Sequence, residues 1–103
     1  MLDFKNLLDS GQPFILDGGM GTLLMAHGMP AGVSPEQFGL ANTDIVRKIH
    51  EDYIRAGSMI VTTNTFGGTS FKLPFNVNAF EANKTLAAAA KAATSELGGF
   101  VAG

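Results

Sequence analysis

The 103-residue sequence contains no cysteine. That absence excludes disulfides and any thiolate-held metal within these residues, and it is compatible with a cytoplasmic location, which is the expectation. Tryptophan is also missing, and there is one tyrosine against eight phenylalanines. Charged residues make up only 16% and the net charge is −2. A nucleic-acid surface needs a basic patch, so a nucleic-acid partner is not expected. The one adjacent basic pair, Arg47 and Lys48, reads as a solvated helix face. No apolar run approaches the roughly 18 residues needed to cross a membrane. The opening "MLDFKNLLDSGQPF" mixes acids among its apolar residues, unlike a secretion signal.

What is present is a chain that must bury surface: 46% hydrophobic residues and 13 glycines suit one small domain with a single core. "DFKNLLDSG" predicts a short helix with Asp3 as N-cap and Gly11 as terminator. Pro13 blocks its continuation, and Phe14–Leu16 predicts a short buried strand. Thr22 to His27 predicts one or two helical turns ended by Gly28. "GMPAGVSPEQFGLAN" reads as a long irregular connection, of a kind that is often functional. "NTDIVRKIHEDYIRAG" gives the clearest helix signal, with Thr43 as N-cap and Gly57 as stop. Ile45, Val46, Ile49, Tyr53 and Ile54 share one face of it, while Arg47, Lys48, Glu51 and Asp52 face away. Met59–Thr63 predicts a β-branched strand. Asn78 caps a long helix stopped by Gly98–Gly99, whose alanines at 87–90, 92 and 93 imply close packing. "FVAG" then starts another strand.

The order helix, strand, helix, strand, helix, strand implies an α/β chain of parallel βα units with right-handed crossovers. Short, continuously apolar strands are those covered on both faces. Three such strands leave two open edges, and the last has no helix to cover it. The chain is therefore expected to be a piece of something larger, with homo-oligomer formation through exposed edges as another outcome.

Ligands of parallel α/β folds bind beyond the carboxyl ends of the strands. The first such end is Asp17-Gly18-Gly19-Met20-Gly21-Thr22. Its glycines let the backbone approach a ligand, a helix start offers N–H groups to an anion, and Asp17 could take a cationic amine. Together these match a zwitterionic amino acid. A tight βα turn with Asp17 as a helix cap explains the same residues. The second end, Thr62-Thr63-Asn64-Thr65-Phe66-Gly67-Gly68, carries four neutral hydrogen-bonding side chains and then the apolar Phe66. It suits the binding of a small polar molecule, or the capping of a loop by its own side chains. His50 reads as an ordinary residue on the polar side or border of its helix, and His27 as a helix C-terminal residue. Glu36 could face the site from the long connection but reads better as solvated, and Met20, Met25 and Met29 could line an apolar pocket but read better as core filler. No nucleotide-binding, metal-ligand or Ser/His/Asp pattern occurs, so no residue is assigned as catalytic or as a metal ligand.

Taken together, "LDGGMGTLL", "DIVRKIHEDYIRAGSMIVTTNTFGG" and "FVAG" resemble the N-terminal part of the homocysteine S-methyltransferase family, from about Phe14 to the end. The nearest resemblance is to the homocysteine-binding domain of cobalamin-dependent methionine synthase. This implies that residues 1–103 are a partial (β/α)8 TIM barrel, truncated after about the third strand, since a barrel needs about 250 residues. It implies homocysteine as substrate in methionine biosynthesis, with Asp17, Gly18 and Gly19 at its amino-acid end and Thr63, Asn64 and Phe66 in the pocket wall. The family's zinc, held by three cysteines of later strands, would lower the thiol pKa so that the nucleophilic thiolate forms. Methylcobalamin, recharged from methyltetrahydrofolate, would supply the methyl group through other domains. Zinc and cobalamin are thus implied for the parent enzyme and neither for these 103 residues, which are expected to be inactive alone; a non-catalytic binding module is the alternative. Two positions depart from the family pattern: Met59, usually an acid or small polar residue, and Thr43, commonly proline.

Overall fold

Asp3 opens the first helix as expected: the Asn6 N–H donates to its side chain at 2.7 Å, and α1 (Phe4–Asp9) follows. The computed structural model describes residues 3–103. After α1 come α2 (Gly21–Ala26), α3 (Pro35–Ala41), α4 (Thr43–Arg55), β1 (Ile60–Thr62), α5 (Ala79–Leu97) and β2 (Phe100–Ala102).

The strands β1 and β2 pair in parallel, with Ile60 opposite Phe100 and Thr62 opposite Ala102. The segment expected as a first strand, Phe14–Leu16, is not a full strand. It joins the sheet through one parallel bridge, Leu16 to Ile60. Met59 N–H donates to the Ile15 carbonyl at 2.7 Å and Asp17 N–H to the Ile60 carbonyl at 3.0 Å. Pro13 has no N–H to contribute to a ladder, and Ile15 and Leu16 lie exposed at this outer edge. The parallel direction, and the order of this segment, then β1, then β2, follow from these bonds.

The connection expected to be irregular contains α3. Ser34 caps it by accepting from Gln37 N–H, and Pro35 occupies its first turn, where its missing N–H costs nothing. Thr43 is not the N-cap of α4: that position is Asn42, which makes no side-chain cap bond. Its amide instead donates back to the Phe38 carbonyl at 3.0 Å, because α3 runs into α4 with no intervening loop. Asn78 caps α5 as expected, accepting from Glu81 N–H at 3.0 Å.

Val46 and Ile49 of α4, Leu86 and Ala89 of α5 and Leu24 of α2 form the core cluster, with Tyr53, Phe38 and Met29 packed around it. Buried Ala82, Ala90 and Ala93 bring α5 close to its neighbours. Gly39 of α3 is needed by the same packing. A Cβ there would lie 2.6 Å from the Asn64 amide and 3.0 Å from both Leu86 and Val46. Arg47 and Lys48 pair with Glu51 and Asp52 one turn on, as expected of the outward face.

Candidate functional site

The carboxyl ends of the edge segment and of β1 lie side by side, and Asp17 joins them. Its Oδ2 accepts from Thr62 N–H at 2.9 Å, and its Oδ1 from the Thr62 hydroxyl at 3.0 Å. Asp17 is therefore not a helix cap, since α2 begins after Met20 without a side-chain cap bond. The turn that follows is held from α4: Tyr53 Oη donates to the Gly19 carbonyl at 2.5 Å. A Cβ on Gly18 would stand 3.1 Å from that hydroxyl, whereas one on Gly19 would meet nothing.

These two chain ends enclose one cleft of about 290 Å³. Of the six residues singled out from sequence, Asp17, Gly18, Thr63, Asn64 and Phe66 line it. Gly19 does not; it lies beside the cleft under Tyr53. Thr63 and Asn64 are buried, and their side chains are largely engaged within the protein. The two hydroxyls of Thr63 and Thr65 are 2.7 Å apart, and the Asn64 amide donates to the Pro35 carbonyl at 2.9 Å. Phe66 is the opposite case. It is 94% exposed at the mouth of the cleft, with Lys72 Nζ 5.1 Å from its ring centre.

Two expectations are corrected here. Glu36 is not solvated: it is 4% exposed, and its Oε1 accepts from Gly67 N–H at 2.6 Å. The first turn of α3 carries it inward against the cleft wall. His50 is not on the polar side of α4. It follows Val46 by one turn, on the same face, and is fully buried with neither ring nitrogen hydrogen-bonded. Burial lowers its pKa from 6.5, against the opposing pull of the Asp17 charge. His27, as expected, ends α2, with Nδ1 2.9 Å from the Leu23 carbonyl. Met20 and Met29 pack on the core, Met20 also lining the cleft, while Met25 is exposed.

Sequence reasoning gave Glu36 a place at the site only as the lesser alternative, did not single out Tyr53 as part of it, and named Thr62 in the second chain end without its bond to Asp17. A signal for the first was available in "SPEQ", a serine, proline and acid in the order of a helix start. That pattern turns the expected loop into a helix whose first turn can reach the cleft. Nothing local marks the partners of Tyr53 or Thr62.

Among the described residues no group of three His, Cys, Asp or Glu comes together to hold a metal ion. The arrangement instead offers a carboxylate, backbone groups and hydroxyls around a small opening, which is equipment for binding and orienting.

Comparison with known proteins adds to this geometry. Residues 14–103 match the family model described as homocysteine S-methyltransferase. A solved structure of the homocysteine methyltransferase MmuM from Escherichia coli, in a metallated form, aligns with a TM-score of 0.75 at 26% identity. The match covers 94% of this chain and 39% of that one, so the chain spans about two-fifths of the length of this solved relative.

Proposed function

The chain belongs to the homocysteine S-methyltransferase family, and from that premise we propose that its cleft receives the amino-acid end of homocysteine. One observation carries the reading: two parallel chain ends, far apart in sequence, converge on a single small cleft with a carboxylate at their junction. An ionised carboxylate has about four acceptor positions. Asp17 uses two on Thr62, leaving two for an ammonium group, and it is only half-buried. Phe66 at the mouth supplies an apolar surface for the methylene chain that leads to the sulfur. In this reading the edge segment, β1 and β2 are the first three strands of a (β/α)8 barrel.

The chemistry of the sulfur is not assigned to these residues. The zinc that the family resemblance implies requires three thiolates. This chain has no cysteine and no alternative ligand group among the described residues, so the residues do not fit that metal. We assign to the chain the binding and orientation of the substrate, and expect no methyl transfer from these residues alone. The methyl donor, methylcobalamin recharged from methyltetrahydrofolate in the methionine synthase reading, would be presented by other domains.

Calorimetric titration of homocysteine tests the proposal. The wild-type chain is expected to bind, and Asp17→Ala to bind at least about tenfold more weakly, the scale of one lost charge-assisted hydrogen bond. Thermal unfolding should change little, because Thr62 is exposed and its freed N–H can turn to water. Equal affinity of the two proteins would remove Asp17 from the site.

A second reading is favoured by a different observation. Phe4, Phe14, Leu16, Ile60, Phe100 and Val101 line an apolar hollow of about 550 Å³ on the sheet. Contact between two copies of the chain through this surface would make it an associating α/β unit.

A further inference from the structure

We propose that Glu36 is a positioning residue for the cleft: from the first turn of α3 its carboxylate holds the Thr65–Gly68 rim in the place where it faces Asp17. The inference rests on the reading that the cleft takes homocysteine, and it adds a residue of the cleft wall whose carboxylate is committed to the opposite chain end.

Three observations lead to it. The bond from Gly67 N–H to Glu36 Oε1, at 2.6 Å, is buried and spans 31 residues of sequence. An ionised acceptor shortens and strengthens such a bond. Glu36 Oε2 is buried without any hydrogen-bond partner. Proteins rarely leave a buried polar atom unmet, and a local turn could satisfy one amide with a neutral acceptor. The side chain is thus buried with one oxygen unused, while the other is committed to Gly67. Finally, residue 67 and the carboxylate are matched in shape, because the carboxylate fills the space that a Cβ at Gly67 would occupy.

Within itself the rim is braced by short-range turn bonds, from Thr65 N–H to the Thr63 carbonyl, Gly68 N–H to the Thr65 carbonyl and Thr69 N–H to the Gly67 carbonyl, while few bonds reach it from the rest of the fold. Phe66 projects into solvent, and the other bond from α3 to this chain end reaches back only to Asn64, from its amide to the Pro35 carbonyl. Between Asn64 and Asn83, whose amide donates to the Gly68 carbonyl at 2.8 Å, Glu36 is the tether that reaches the middle of the rim. Glu36 is part of the cleft lining, but its Oε2 is buried and its Oε1 is taken by Gly67 N–H, so its effect runs through the Gly67 amide.

Calorimetric titration of homocysteine, together with hydrogen exchange of the Gly67 amide followed by NMR, tests the proposal. Glu36→Ala is expected to weaken homocysteine at least about tenfold and to speed Gly67 exchange by a similar factor, as a lost charge-assisted bond implies. Glu36→Gln keeps an acceptor oxygen and is expected to stay within about threefold of wild type on both measures. If Glu36→Ala does not fold, Gly67→Ala displaces the carboxylate with Glu36 intact, and should weaken homocysteine as Glu36→Ala would. Wild-type affinity and exchange in Glu36→Ala or Gly67→Ala would overturn the proposal. So would equal weakening by Glu36→Gln and Glu36→Ala with Gly67 still protected, which would mean that the ligand senses the charge directly. Failure of the wild-type chain to bind homocysteine, with the Gly67 exchange pattern as expected, would overturn the substrate reading and leave the tether standing.

Discussion

His50 lies in the core without a hydrogen-bond partner on either ring nitrogen. Its pKa is lowered from 6.5 chiefly by burial, with the Asp17 carboxylate acting the other way. The unfolded chain therefore binds more protons than the folded one in the window below pH 6.5. Its contribution to stability is fully present above that pH and is lost as the pH falls toward the lowered folded value. We expect chemical denaturation to show stability falling just below pH 6.5, with a slope from this group of no more than about 1.4 kcal/mol per pH unit. His50→Phe, which removes the titrating group, should flatten that part of the profile; an unchanged slope would assign the effect elsewhere. The same residue shows the limit of reading from pattern. Histidine is polar by type, and only its spacing from Val46 placed it on the inward face.

Helices α4 and α5 dominate the core cluster, supplying four of its five buried residues. Leu86 is fully buried where α5 meets Val46 and Gly39. Leu86→Ala removes buried methyl groups and leaves a hole, so a loss of about 2–5 kcal/mol is expected in urea unfolding. A loss below about 1 kcal/mol would show that the helices re-close around the gap. The amphipathic face of α4 was legible because Val46, Ile49 and Tyr53 recur at helical spacing, and the caps Asp3 and Asn78 because their signals are local. The segment containing α3 was misread because its prolines and glycines outweighed the start signal at Ser34–Gln37. Phe14–Leu16 stops at a single bridge to Ile60, and Pro13 just before it has no N–H with which to extend the ladder.

The whole molecule is covered unevenly. Helices α4 and α5 pack on one another beside the sheet, while Phe4, Leu16 and their neighbours leave the apolar hollow on the sheet open. Phe4 shields part of it by packing edge-on against Phe100, with ring centres 5.6 Å apart. Leu16 nevertheless remains 56% exposed, on a segment whose outer edge has no ladder partner among the described residues. If two copies meet there, the sedimentation coefficient of the chain will rise with concentration, and Leu16→Lys will hold it at the monomer value by placing a charge in the contact. A concentration-independent monomer would rule out the associating reading and leave the cleft as the feature that defines this chain.

The sequence alone determined where most helices begin and end, which face of α4 turns inward, and that two glycine-bearing chain ends follow apolar segments in a parallel α/β order. Those properties are set by caps and periodicity acting within a turn or two of chain. Only the tertiary structure decided that Asp17 grips Thr62, that Tyr53 holds the Gly19 carbonyl, and that Glu36 leaves solvent to reach Gly67. Each of these bonds joins residues 31 to 45 positions apart. No local signal encodes such a partner; it exists only once the core has packed and brought the two chain ends together.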